Sequence, residues 1–301
     1  MSSLRLATRR SPLALIQASY VQQRLMTLGV ASELVHIETS GDLRRDVSLE
    51  AIGGQGVFAV EIQSAVLRGE ADVAVHSAKD LPSTTPDGLA LLCVPQRLDA
   101  ADVLVGRSLA GLGPGATVAT GSPRRRALLL ERRPDLRVVG LRGNMATRFA
   151  KAGHDGVDAV VAAAAALERL GQGDLVSERL DPAWFVPQVG QGALALEVRE
   201  DDDATSTLLA PLNDDAAFVS LAAERSFLRE LGAGCSVPAG AYATVDGDEV
   251  NVSGVMLSVD GSHSVRAAVS GRDAAALGRQ LALVLRDERG GGDLAGWVRD
   301  R

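Results

Sequence analysis

Lysine is nearly absent from this chain. Of 31 Lys+Arg residues only Lys79 and Lys151 are lysines, which leaves 29 arginines. Aromatic residues are scarce at 3%, so aliphatic side chains must pack the interior. Cysteine is limited to Cys93 and Cys235, too few and too far apart for a disulfide framework. A positive net charge is also missing. The formal charge of −7 speaks against a nucleic-acid binder, which is usually basic, but a total does not report whether arginines gather in one cleft. The longest apolar run, 159–167, is far too short to span a bilayer. The start, Met1-Ser2-Ser3-Leu4-Arg5, lacks the charged-then-apolar plan of a secretory signal. These absences lead to the expectation of a soluble cytoplasmic protein with no membrane or nucleic-acid partner, in which nothing demands more than a monomer.

A length of 301 residues leaves room for two or three domains. Alternating apolar runs predict strands at 4–8, 33–38, 71–75 and 89–94, with helices at 12–28 and 57–68 between them. The first helix opens on Ser11-Pro12, an N-cap followed by proline at the first helical position. The stretch 40–56 is polar and glycine-rich, and reads as a lid or a long loop. A second series starts near 98, with strands at 102–106, 116–120, 136–141 and 158–162 and helices after Ser122-Pro123, at 144–152 and at 163–170. Such alternation predicts mainly parallel sheets. A break at 187–192 followed by a strand at 193–198 implies that the chain crosses back to the first series. After helices at 203–209 and 215–231, strands at 239–245, 249–259 and 263–270 meet at Asp246-Gly247 and Asp260-Gly261. That spacing predicts an antiparallel meander, closed by a helix at 274–287. The expected fold is α/β: one lobe of 1–97 with 193–213, a second of 98–192, and a C-terminal α+β domain of 214–301 with a three-stranded antiparallel sheet.

The segment Val75-His76-Ser77-Ala78-Lys79-Asp80-Leu81-Pro82 puts four polar side chains at the end of a strand that proline stops. Carboxyl ends of strands in open α/β sheets are ligand sites, and a rare lysine beside an aspartate suggests a need for a compact ammonium. The plainer reading is a surface ion pair. Arg9 lies just before the Ser11 cap. Thr120-Gly121-Ser122-Pro123-Arg124-Arg125-Arg126 places three guanidiniums at one helix start, and Leu141-Arg142-Gly143-Asn144 with Arg148 repeats the arrangement one strand later. Helix starts and arginine forks both favour anions, so a ligand with several carboxylates or phosphates is expected. Taken singly, each arginine is better read as solvated. Cys235 lies in the tight loop Leu231-Gly232-Ala233-Gly234-Cys235-Ser236-Val237-Pro238, where chemistry is more plausible than at Cys93 in its apolar strand. His76 is read as a packing or hydrogen-bonding residue in preference to a catalytic partner of Cys235.

Together with Leu6-Ala7-Thr8-Arg9-Arg10-Ser11-Pro12-Leu13-Ala14, Glu131-Arg132-Arg133-Pro134-Asp135-Leu136 and Val189-Gly190-Gln191-Gly192-Ala193, these segments resemble the porphobilinogen deaminase (hydroxymethylbilane synthase) family over nearly the whole chain. The resemblance implies two lobes like a periplasmic binding protein and a third domain. It implies a transferase of tetrapyrrole (haem) biosynthesis that joins four porphobilinogen molecules and releases ammonia at each step. It also implies a dipyrromethane cofactor in thioether linkage to Cys235. Ser77, Lys79, Ser122, Arg124, Arg125 and Arg148 then match cofactor contacts. Arg9, Ser11, Phe58, Arg142, Arg148, Arg169 and Gln191 match substrate contacts, and Asp80 matches the catalytic carboxylate. The residue chemistry agrees, because each pyrrole carries an acetate and a propionate, and loss of ammonia leaves a cation that a carboxylate stabilises. Ala51 and Gln55 stand where many relatives carry lysines, and Pro123 and Ser236 replace common residues. A two-lobed binding protein for an anionic small molecule is the alternative, and a cysteine hydrolase a weaker one.

Overall fold

The structure, a computed structural model, describes residues 3–38, 59–141, 145–232, 237–294 and 297. The 40–56 segment, Phe58, Arg142 and Cys235 lie outside the described residues. Two compact units emerge: Met1–Leu98 with Gly192–Val219, and Asp99–Gln191 with Ser220–Arg301. Counted by the sheets among the described residues, the chain has three parts. The second unit carries two of them.

In the first unit, β1 (Leu4–Arg9), β2 (Ser32–Ile37), β3 (Val73–Ser77), β4 (Leu89–Cys93) and β10 (Leu194–Arg199) form one sheet in the order β2-β1-β3-β10-β4. The helix α1 (Pro12–Thr27) begins at Ser11, whose side chain accepts from the backbone N–H of Ala14. It buries Ala18, Val21 and Leu25, three residues spaced to share one face. That face packs with Leu4, Leu6, Val73, Val75, Leu194 and Leu196. The opposite face of the sheet meets α2 (Val60–Leu67) through Ala7, Ile62, Val66 and Ala74. The amino edge of the parallel strands is tied by Asp72, which accepts from the Arg5 backbone N–H at 2.9 Å and from its side chain at 2.7 and 3.1 Å.

The second unit repeats this pattern. β5 (Asp102–Gly106), β6 (Thr117–Ala119), β7 (Arg137–Val139), β8 (Ala159–Ala163) and β9 (Val176–Arg179) have the order β7-β6-β8-β5-β9. The helices α3 (Pro123–Arg132), α4 (Met145–Phe149) and α5 (Ala164–Arg169) follow β6, β7 and β8. In the first unit α6 (Asp203–Leu209) follows β10. The helix α7 (Asp215–Leu231) then leads toward the antiparallel strands β11 (Ala239–Asp246), β12 (Glu249–Leu257) and β13 (Ser264–Gly271) and the helix α8 (Ala274–Leu283). One core joins this sheet to its neighbour, with Leu104, Val118, Leu128 and Phe185 packed against Val255 and Leu257. Glu131 of α3 accepts from Ser264 and Arg266 of β13. Gly261, at the turn into β13, has φ +73°, and a Cβ there would lie 2.4 Å from the Ala127 carbonyl oxygen. The turn therefore needs glycine both for its backbone and for its seat on α3.

One expectation is corrected. The five-stranded sheets are mixed, since β10 runs antiparallel to β3 and β4, and β5 runs antiparallel to β8 and β9. Each of these strands is the first after the chain passes from one unit to the other. It has no crossover helix to reverse its direction.

Candidate active site

In the first unit the parallel pairing Leu6↔Val73 and Ala7↔Ala74 brings the carboxyl ends of β1 and β3 side by side. Arg9 and Ser11 leave one end and Ser77, Lys79 and Asp80 leave the other, so the structure gathers these five at one sheet edge. Gln17 of α1 and Ser77 exchange hydrogen bonds at 2.8 and 3.0 Å. A 3-10 turn, Ala78–Asp80, follows. The Ala78 N–H donates to the Ala193 carbonyl at 3.0 Å, and the Leu81 N–H closes the turn onto Ala78 at 3.2 Å. Ala78 and Leu81 are buried, which anchors the turn from below. Lys79 and Asp80 are left half-buried at the edge.

His76 points away from this edge. It is buried, and its Nε2 lies 3.1 Å from Oε2 of Glu197, an ion-pair distance without hydrogen-bond geometry. Glu197 also accepts from Gln63 at 2.8 Å. This is the packing role preferred for His76. Cys93 is buried as well, and burial pushes its thiol up to about 12.

In the second unit Ser122 caps α3, accepting from the Arg125 N–H at 3.4 Å. The three successive arginines then diverge, as residues 100° apart on a helix must. Arg124 turns inward and is 2% exposed. Its Nη1 donates to the Val186 carbonyl at 2.6 Å and its Nη2 to Asp102 at 2.7 Å. The guanidinium of Arg125 forks onto Asp102 Oδ1 at 2.9 and 2.6 Å. Arg126 is exposed and donates to the Val138 carbonyl. Gln191 is fully buried, with its Nε2 donating to Asp102 at 2.9 Å and to the Ala100 carbonyl at 2.7 Å. Arg124 and Gln191, expected among the ligand contacts, lie in a buried cluster around Asp102. The helix face explains this, since Arg124 shares it with buried Ala127 and Leu128. Arg148 on α4 and Arg169 at the end of α5 are half-buried. They follow the carboxyl ends of β7 and β8 respectively.

Asp102 is the residue that sequence reasoning missed. Its only signal is a charged residue opening an otherwise apolar strand. Burial opposes its ionisation, but the Arg124 and Arg125 charges outweigh this and hold its carboxyl at about 2. Asp72 and Asp99 are also held low, each by an arginine against its own desolvation. A lowered folded-state pKa adds stability above the unfolded carboxylate value and loses it as pH falls through the folded one. Thermal unfolding is therefore expected to be flat near neutrality and to drop steeply from about pH 4 toward 2. Melts of Asp102→Asn should show a shallower acid slope.

Each unit's donor set, taken by itself, fits carboxylate groups. Two guanidiniums face one carboxylate at Asp102, which leaves one positive charge in excess, while Arg9, Ser11 and Lys79 share the edge of the other unit. Comparison with known proteins agrees. Residues 4–207 match the family described as porphobilinogen deaminase, dipyromethane cofactor binding domain, and residues 218–287 match porphobilinogen deaminase, C-terminal domain. The porphobilinogen deaminase of Syntrophotalea carbinolica is 47% identical, covering 94% of this chain and 92% of that protein. That of Roseiflexus castenholzii is 45% identical, covering 98% and 99%. Among solved structures, a periplasmic substrate-binding protein of an ABC transporter from Coxiella burnetii is similar at TM-score 0.43. It is 17% identical and covers 71% of this chain and 94% of its own. The signatures at the two sheet edges and the relatives matched almost end to end point the same way: the chain belongs to the porphobilinogen deaminase family.

Proposed function

We propose that this protein is a hydroxymethylbilane synthase, a transferase that joins four porphobilinogen molecules head to tail and releases ammonia at each addition. The observation that carries the reading is the intact His76-Ser77-Ala78-Lys79-Asp80 segment, whose Lys79 and Asp80 are presented half-buried at a carboxyl sheet edge beside Arg9. Asp80 is the catalytic group. Its carboxylate offsets the positive charge that develops when ammonia leaves and when the next ring attacks, and it takes up or returns a proton at the reacting carbon. Arg9, Arg142, Arg148 and Arg169 hold the acetate and propionate groups, with hydrogen bonds from Ser11 and support from Gln191. Phe58 offers a ring for stacking.

Cys235 would hold the dipyrromethane covalently, and Ser77, Lys79, Ser122, Arg124, Arg125 and Arg148 would bind its side chains. When bound, it supplies the pyrrole position to which the first substrate is joined. Ser77 is oriented by Gln17, and Lys79 contributes a compact cation. The same reading has the protein acting as a monomer in the cytoplasm.

Intact mass and turnover test the proposal together. The wild-type chain is expected to carry the excess mass of two linked pyrroles and to release ammonia from porphobilinogen. Cys235→Ala is expected to lose both. An unmodified chain that turns over normally, or one that binds porphobilinogen and releases no ammonia, overturns it.

A further inference from the structure

Asp102 opens β5, and β5 is antiparallel to β8, with Asp102 opposite Ala163. Its first residue therefore emerges at the edge where β6 and β8 end, in the middle of the arginine cluster. A carboxylate with no exposed surface is costly unless paired, and four hydrogen bonds meet this one. They come from Arg124 Nη2, Arg125 Nε and Nη2, and Gln191 Nε2.

The two arginines are not equivalent. The side chain of Arg124 is 3% exposed and closed in by the Val186 carbonyl and by Phe185, whose ring centroid is 5.8 Å away. That of Arg125 is 13% exposed. A guanidinium has five N–H donors. Arg125 spends two on Asp102, one on Gln191 at 3.3 Å and one on the Val161 carbonyl at 3.3 Å. One Nη1 N–H is not used in these bonds. The excess positive charge of the cluster thus reaches the surface through a guanidinium braced by four of its five N–H groups.

We infer that Asp102 is a positioning residue. It fixes Arg125 so that its remaining N–H meets a carboxylate of the pyrrole ligand, and it retains Arg124 behind as the cation that keeps the cluster net positive. This rests on the reading that the site takes carboxylate-bearing pyrroles. Pre-organisation of this kind lowers the ordering cost of each charged hydrogen bond. Loss of it should weaken binding more than chemistry.

The test is a double-mutant cycle on the full-length enzyme with Asp102→Asn, Arg125→Leu and both, assayed well below the melting temperature of each. Readouts are the fraction of chains carrying the two-pyrrole mass and kcat per loaded chain for porphobilinogen. Each single variant is expected to lower the ratio of loaded to unloaded chains about tenfold with kcat per loaded chain changed much less. The double variant is expected to be no worse than Arg125→Leu. Multiplying effects, or an unchanged loaded fraction in a folded Asp102→Asn, overturn the proposal. If Asp102→Asn does not fold, Gln191→Leu keeps every charge and removes one brace of Arg125 and one donor to Asp102. Its loss of loading must likewise vanish in the Arg125→Leu background. Failure of the underlying reading looks different, because then the wild-type chain itself neither carries the pyrrole mass nor consumes porphobilinogen, and the proposal falls with it.

Discussion

Asp80→Asn is expected to lower kcat by about 10²- to 10³-fold with the fold intact. Asparagine keeps the size and one acceptor oxygen of aspartate, so the 3-10 turn retains its anchors at Ala78 and Leu81. What is lost is a negative charge at a half-buried position, where a lower local dielectric amplifies its effect relative to bulk water. The reaction develops positive charge at each loss of ammonia and each ring attack, so the penalty falls on the chemical steps and leaves substrate capture largely untouched. Ammonia release measured at saturating porphobilinogen, beside a thermal melt, separates the two. Turnover within a few-fold of wild type would remove Asp80 from its role.

Gly278→Val is expected to give the largest loss of stability. A Cβ at Gly278 on α8 would lie 2.1 Å from the Ala223 carbonyl oxygen and 2.9 Å from the Phe227 nitrogen on α7. Both are backbone atoms that no rotamer change can move. The same crossing is fastened by Ser226, whose hydroxyl donates to the Ala275 carbonyl at 2.7 Å. Relief requires the helices to separate, which uncovers the fully buried Phe227 and Leu281. A cost of about 3 kcal/mol is expected for overpacking of this kind, or a melting temperature lower by roughly 6–12 °C. Gly113→Ala is the control: nothing lies within 4 Å of its Cβ position, and a change within about 0.5 kcal/mol is expected. Equal melts for the two variants would contradict the packing described.

Much of the fold was legible because its signals are local. Ser11-Pro12 and Ser122-Pro123 mark helix starts, and both hydroxyls accept capping bonds. Gly247 and Gly261 take the positive φ expected at the meander turns. The passage back to the first sheet was readable as a strand with no helix before it. Its direction was not, because strand polarity depends on where the chain re-enters the sheet. β9 was also missed, since Val176-Ser177-Glu178-Arg179 is short, polar and half-exposed at a sheet edge. At the site, chemistry was easier to read than orientation. The run Arg124-Arg125-Arg126 announced an anion site. Which guanidinium turns inward follows from helix phase and from an aspartate 22 residues earlier in sequence, and pairing over that distance leaves no local mark.

The placement of β10 between β3 and β4 has a consequence for biosynthesis. A nascent chain can bring β1, β2 and β3 together early, but the slot beside β3 stays empty until residue 199 has been made. Through the translation of some hundred intervening residues, two bare strand edges wait for a late insert. Unsatisfied edges of this kind invite pairing with other chains. Truncations ending between 100 and 190 are therefore expected to accumulate as aggregates, with no independently folded first unit.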